Sequence, residues 1–446
     1  MTERFTRAGL PVLACALVIG LAACGGSSND KSSSDASSGS TKATTTAPPK
    51  NLSGTLTVWD LNYTSFPGYT KAAKQLDQEF QAKYPDVTIK HVAQPFAKYD
   101  QILQAAFTGR KGPDVMMLVG GQQGVLRWTK GLDKLNDRVT SKLHRDLTGW
   151  ASTAEGFDPD GAIYGVPVGL QGVVFYYNKK LFKKAGLDAD FAPKSWDDVK
   201  TAGLKLKAAG ITPFTGGDKE GYENQWWFTA GWNTVNTPDQ ARALANGKID
   251  FTSSEFAKAV SPELDMQRAG LFDSNRFATP LFPDGAAAFG QGKGAMFLGL
   301  WSTAAYYGDY VKKLGANNVG TFLPPGANAY VSEEPGWAWS IPSFGSNKDA
   351  AWAYIQFLTS DHGNETMYTV GGSLPNDKNV AVAADAPPQE RTLIEATRSA
   401  NTFPDVHQMI PGKVLNALST EMNEALQNRK SLQAVQDSLQ KTKDQA

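Results

Sequence analysis

Cysteine is almost missing from this 446-residue chain: there are two, Cys15 and Cys24, both near the start. That excludes a disulfide framework and a cysteine-rich metal site. Histidine is nearly as scarce, with four residues at 91, 144, 362 and 407, too scattered to form a transition-metal cluster. Neither charge sign is in excess, with 44 basic and 44 acidic residues, so nothing marks a nucleic-acid binder and no like-charged block marks a binding tail. No Walker A sequence and no G-x-S-x-G elbow occur. Gly290-Gln291-Gly292-Lys293-Gly294 has the composition of a phosphate loop without its spacing, and reads as a turn before a strand. Asp158-Pro159-Asp160-Gly161 lacks the full calcium-loop pattern and also reads as a turn. After residue 23 no run is long and apolar enough to span a bilayer.

What is present begins with an export signal. Arg4 and Arg7 precede an apolar run from Leu10 to Ala23, the length of a signal-peptide core and short for a membrane span. The run ends Leu21-Ala22-Ala23-Cys24-Gly25, which resembles a bacterial lipobox. Cleavage before Cys24 would leave a thiol carrying two acyl chains, and one chain alone gives only marginal membrane binding. Residues 1–23 are therefore expected to be a signal peptide. Residues 24–50, nearly all Ser, Thr, Gly, Ala and charge, are expected to be a lipidated, disordered tether. As a flexible coil it would reach about 28 Å, at roughly 5–6 Å times the square root of its length. Pro48-Pro49 stiffens its end. Removing Glu3, Arg4 and Arg7 leaves 42 basic and 43 acidic residues, still close to neutral.

The remainder, from residue 51, is long enough for two domains. Leu52–Asp60 reads as a strand, 69–84 as an amphipathic helix, Val87–Val92 as a strand, Tyr99–Phe107 as a helix and Asp114–Val119 as a short apolar strand. Alternating strands and helices predict parallel pairing with right-handed crossovers. Ligands in such sheets sit beyond the carboxyl ends of the strands, here Asp60–Tyr63 and Gly120–Gln122. Further on, Val173–Tyr177 and Gly294–Trp301 read as strands. Ser195 with Asp198 reads as a helix cap, and 349–359 and about 414–442 read as helices. Eleven Trp supply flat faces for packing or for ligands.

Several stretches in order resemble the extracellular solute-binding proteins of ABC importers, in the maltose-binding-protein-like carbohydrate family. They are LTVWD, FQAKYPDVTIK, YDQILQAAFTGRKGPDV, GAIYGVPVGLQGVVFYYNKKLFKKAGL, PKSWDDVKTAGLKLKAAGITPF, GKGAMFLGLWS, GTFLPPG, DAAWAYIQFLTS and GGSLPN, together covering almost all of 53–446. The resemblance implies an α/β two-lobe periplasmic-binding-protein-like fold (type II), with a hinge of crossing segments and an interlobe cleft. Lobe 1 would comprise 51–169 plus 336–366, and lobe 2 would comprise 170–335 plus 367–446. It implies a monomeric receptor with no catalytic residue, cofactor or metal, which delivers a di- or oligosaccharide to membrane permease subunits driven by a separate ATPase. The lipid would hold it on the outer face of the plasma membrane, where a Gram-positive host has no outer membrane to retain it. A polyol, a glycerophosphodiester or another solute is the alternative ligand, and an exported glycoside hydrolase is the alternative class.

A sugar needs polar partners for its hydroxyls and aromatic rings for its C–H faces. The resemblance points to Asp60, Asn62 and Tyr63 in lobe 1, with Asp60 otherwise a turn or cap residue. It points to Gly121 and Gln122 after the third strand, where maltose-binding protein has aromatic and charged groups instead. Gln171 stands where that protein carries a ligand-binding acid. Tyr222, Trp226 and Trp227 match a region supplying stacking rings, at least one of the adjacent Trp facing ligand and one being core. Glu223 or Asn224 offers a hydroxyl partner nearby. Trp301 matches a stacking tryptophan, with core packing as its alternative. Trp337 and Trp339 share one side of a strand recrossing the hinge. Ser373 lies in a late loop that approaches the ligand.

Overall fold

The structure, a computed structural model, describes residues 51–63, 67–95, 98–153, 161–169, 172–245, 247–300, 304–326, 331–333, 337–386, 388–398 and 402–446. The expected signal peptide and tether with Cys24, Gln171, Trp301 and most of the expected turn at Asp158–Gly161 lie outside the described residues.

The first sheet is built from β1 (Gly54–Asp60), β2 (Val87–Ala93), β3 (Val115–Leu118), β4 (Val166–Val168) and a late strand, Trp337–Ser340, in the order β2-β1-β3-late-β4. β1 runs parallel to β2 and to β3, as the strand–helix alternation predicts. The connecting helices are α1 (Pro67–Lys83) and α2 (Tyr99–Gly109). Along β1 the alternate residues Leu56, Val58 and Asp60 turn inward, and each is fully buried. The late strand is antiparallel to both neighbours, pairing Trp339 with Met117 on one side and with Val166 on the other. Asp114 ties the same region together. One carboxylate oxygen accepts from Thr57 N, and the other accepts from Ser346 N and Oγ and from Asn347 N.

The second sheet is antiparallel: β5 (Val173–Asn178) lies between β6 (Met296–Leu300) and β7 (Val319–Phe322). Between these two sheet strands and the late strand comes β8 (Val331–Glu333), so the late strand is β9; β10 (Thr402–Pro404) pairs parallel with β8. The helix Trp196–Ala208 starts with the expected cap, a reciprocal capping box between Ser195 and Asp198.

Three apolar cores result. One gathers residues between 52 and 166 and between 338 and 358. The second gathers residues between 173 and 322 and between 368 and 394, and the third between 228 and 264 and between 406 and 439. The helix Tyr222–Val235 serves both of the latter. Trp226, Trp227 and Ala230 pack into the second core, and Phe228 and Trp232 into the third. A helix buried on nearly every side must also satisfy its polar groups. Asn224 donates to Ser419 O at 3.0 Å, and Gln225 donates to Ser419 Oγ at 2.7 Å. Among the described residues no helix is long and apolar enough to cross a membrane.

The start of that helix sits on a buried charge cluster. Arg276 lies within salt-bridge distance of Asp218 (3.7 Å), Glu223 (3.0 Å) and Glu263, all four groups being almost wholly out of water. Its guanidinium also stacks over Phe272 at 4.1 Å. One cation cannot neutralise three ionised carboxylates in a dry interior. Burial therefore raises the Glu223 and Glu263 carboxyls above the ordinary range, against the opposing pull of Arg276. In the unfolded chain these groups ionise near pH 4.5, so between that pH and about 8 the folded chain binds more protons. Stability must fall as pH rises through that window. Glu263→Gln should flatten this fall in urea-unfolding free energy. Arg276→Met should instead lower stability by roughly 3–5 kcal/mol, by stranding buried carboxylates.

Candidate functional site

A cavity of about 50 Å³ opens where the first and second cores meet. β1 contributes Asp60 and the turn after it contributes Asn62. β9 contributes Trp337 and Trp339, and β4 with its exit contributes Val168 and Gly169. Asn364, Met367 and the Ser373–Pro375 segment close the other side. Five of the residues singled out from sequence thus meet here: Asp60, Asn62, Trp337, Trp339 and Ser373. Strand alternation explains the two tryptophans, two residues apart on one face of β9, with Trp339 buried and Trp337 half-buried.

Asp60 plays a different part from the direct ligand contact that was expected. Its inward position leaves it no exposure, and protein donors hold both oxygens. Oδ1 accepts from Asn62 N at 2.7 Å, and Oδ2 accepts from Tyr69 OH at 2.9 Å and faces His91 Nε2 at 3.0 Å. His91 comes from β2, where Val87, Ile89 and His91 fall on one face, and its Nδ1 lies 2.9 Å from Asp77 of α1. Asp77 also accepts from Tyr354 OH at 2.5 Å. Burial by itself disfavours an imidazolium, but hydrogen bonds and charge from Asp60 and Asp77 outweigh it and push His91 up to about 9. Tyr63 does not line the cavity; its ring stacks on His91 at 3.8 Å and 15°.

The remaining expected residues lie elsewhere. Gly121 has a left-handed backbone, and a Cβ there would fall 2.4 Å from Gln408 O. The loop it shares with Gln122 packs on residues 406–410, where Gln123 Nε2 donates to Ile410 O, and neither Gly121 nor Gln122 lines the cavity. Glu223 bonds Arg276 and Asn224 bonds Ser419, and both are buried and do not line the cavity. Trp227 is a core residue, edge-on to Phe175, Phe214 and Phe272. Trp226 is buried, with Phe282 edge-on to it at 5.9 Å, and Tyr222 on the same helix face is 45 % exposed. His91, Asp77, Tyr69, Tyr354 and Asn364 were missed from sequence. Polar residues continuing an apolar face, His91 after Val87 and Ile89 and Asp77 beside Leu76 and Phe80, were the available signal.

The profile of the bacterial extracellular solute-binding protein family matches residues 63–365. The chain belongs to that family. As an extracellular solute-binding protein it aligns with a solved chitin oligosaccharide binding protein at a TM-score of 0.76 and 25% identity, over 88% of this chain and 99% of that one. The cyclic alpha-maltosyl-1,6-maltose binding protein from Arthrobacter globiformis shares the fold at a TM-score of 0.68 and 21% identity, over 88% and 98%. An ABC transporter extracellular-binding protein of Pyrococcus horikoshii is 24% identical over 344 residues, 75% of each chain. The sn-glycerol-3-phosphate-binding periplasmic protein of Escherichia coli K12 is 27% identical over 217 residues, 45% of this chain and 48% of that one; the match spans only about half of that relative. The solute-binding family and the two-lobe α/β architecture expected from sequence are thus both present.

Trp227→Ala should cost roughly 3–5 kcal/mol of stability, the usual penalty for emptying a packed aromatic site. Denaturant unfolding measures this directly, and a near-neutral result would take Trp227 out of the core.

Proposed function

We propose that this solute-binding protein is a lipid-anchored receptor that captures a neutral carbohydrate, a di- or oligosaccharide, between its two lobes and passes it to an ABC permease. One observation carries the ligand class: among the described residues lining the cavity there are two tryptophans, two asparagines and a serine, and no Lys or Arg. Indole faces suit sugar C–H faces, and amides and hydroxyls suit sugar hydroxyls. A phosphate ligand calls for Arg or Lys, and this cavity lining offers neither, while its one acid, Asp60, is engaged by protein donors. That weighs against a glycerol-phosphate ligand despite the relative that binds one.

In this reading lobe 1 is 51–169 plus 336–366 and lobe 2 is 170–335 plus 367–446. Gln171 and Trp301, which match ligand-contacting positions of the family, complete the site from lobe 2. A ligand touching both lobes stabilises the closed form by its extra affinity for that form, and the permease reads the closed form. The protein has no catalytic role; hydrolysis is left to other proteins and ATP hydrolysis to a separate subunit. It works as a monomer. The lipid on Cys24 holds it at the outer face of a Gram-positive plasma membrane and raises its effective concentration near the permease.

Tryptophan-fluorescence titration with neutral oligosaccharides and sn-glycerol-3-phosphate tests the ligand class. One neutral sugar should bind near micromolar affinity, about −8 kcal/mol, and the phosphate should not. Trp337→Ala should weaken that binding by about tenfold or more, since burying an indole face is worth on the order of 1.5–3 kcal/mol, with little loss of unliganded stability. Release of shorter sugars on incubation would replace the receptor reading with a hydrolase. Cys24→Ser should free the protein from the membrane fraction and leave affinity unchanged; retention in that fraction would remove the lipid anchor.

A further inference from the structure

We propose that His91 is the positioning residue of the ligand site: held as an imidazolium between the Asp60 and Asp77 carboxylates, it fixes the Leu61–Tyr63 segment and ties ligand affinity to its own proton. The proposal rests on the reading of the cavity as the ligand site. Only an imidazole protonated on both nitrogens can donate to both carboxylates at once, and the two distances, 3.0 and 2.9 Å, are those of two such bonds. The ring is 4 % exposed, so water cannot replace either bond.

The link to the ligand loop has two arms. Through Asp60, His91 holds the acceptor that captures the Asn62 amide. Through its ring face, it supports the Tyr63 ring stacked 3.8 Å away. Asn62 lines the cavity and Tyr63 follows it, so both residues of the loop are set from beneath by one side chain. The groups facing the imidazole from each packed element are few. β1 brings Asp60, the turn brings Tyr63, and α1 brings Asp77 and Tyr69; the helix Lys348–Leu358 brings Tyr354, whose hydroxyl bonds Asp77. Tyr99 of α2 lies near enough to sense Asp60, but its hydroxyl goes to Met117 O. Among the described residues lining the cavity His91 is therefore the sole group able to carry positive charge.

Losing that proton would leave two carboxylates sharing a dry site with a neutral ring that can donate to only one of them. Where the Nε2 proton is the one lost, the Asn62 amide would bond a carboxylate held by one donor fewer, with Tyr69 alone left on its other oxygen. The ring holds its proton up to about 9 in the fold against an ordinary 6.5. A group raised in this way contributes fully to folding stability below 6.5 and loses that contribution as pH climbs through 9, whereas the folded ligand site senses the proton only where the folded ring titrates, near 9.

The test is nitrogen-resolved NMR of the full-length protein, with the His91 signals assigned by comparison with His91→Gln. Both ring nitrogens should be protonated at neutral pH, deprotonation should occur near pH 9, and the Asn62 amide resonance should move with the same midpoint. A ring that is neutral at pH 7, or an Asn62 amide that ignores the ring's titration, overturns the proposal. These readouts need no ligand, so they stand if no sugar on the panel binds and the carbohydrate reading fails. With the neutral oligosaccharide that binds, wild-type affinity should fall by roughly tenfold per pH unit at most as the proton is lost. His91→Gln, checked for folding by circular dichroism, should bind weakly with no pH dependence as the pH rises through about 9. Wild-type affinity that stays flat as the pH rises past about 9 also overturns the proposal.

Discussion

The fold depends on one short strand being shared. Trp337–Ser340 arrives after the chain has built the second sheet, and it is inserted between β3 and β4 of the first. Its backbone groups are paired on both sides, so it cannot shift without breaking two ladders at once. A second crossing is held in the same manner. Asn376 donates to Thr148 O and Pro167 O, and its own carbonyl accepts from Thr148 N. The cavity lies against both of these fixed crossings, lined by Val168, Trp337, Trp339 and Pro375. Its indole faces belong to the strand that makes the crossing.

Beneath the cavity the electrostatics are internally balanced. Two carboxylates and one imidazolium leave a net negative floor, with every near oxygen already accepting from a protein donor. Such a floor offers little to an anion. It keeps the loop above it rigid at the cost of desolvating charges, and this cost is repaid only because the partners are complete. The Arg276 cluster at the head of the helix Tyr222–Val235 follows the same rule with more acid than base, so it holds protons instead of a second cation. The two clusters differ in consequence: one lies against the cavity, and the other anchors a helix shared by two cores.

The sequence displayed its local physics clearly. The β–α–β–α–β order of residues 54–118, the Ser195–Asp198 cap and the common side of Trp337 and Trp339 all follow from period and capping rules that span a few residues. The misplaced residues each answer to a distant partner. Asp60 is expected from sequence to contact ligand because its partners, His91, 31 positions away, and Tyr69 of α1, are not visible in the local pattern. Glu223 was read as a hydroxyl ligand because Arg276, 53 positions away, was not in view. Asp77 bonds a tyrosine 277 positions along the chain. Trp227 was left open between core and cleft, since a helix covered on nearly every side shows no single apolar face. Alternation along β1 did carry a usable warning: Asp60 continues the inward series of Leu56 and Val58.

The central claim is that one ligand is held by groups from both lobes at the crossing strand. Amide hydrogen exchange of the full-length protein, followed by mass spectrometry with and without the neutral oligosaccharide that binds it, reads this most directly. The account predicts slower exchange together in three segments, 61–63, 337–339 and 373–375, which line or adjoin the cavity from separate parts of the chain. Protection confined to one of these segments, or lying wholly outside them, would contradict it.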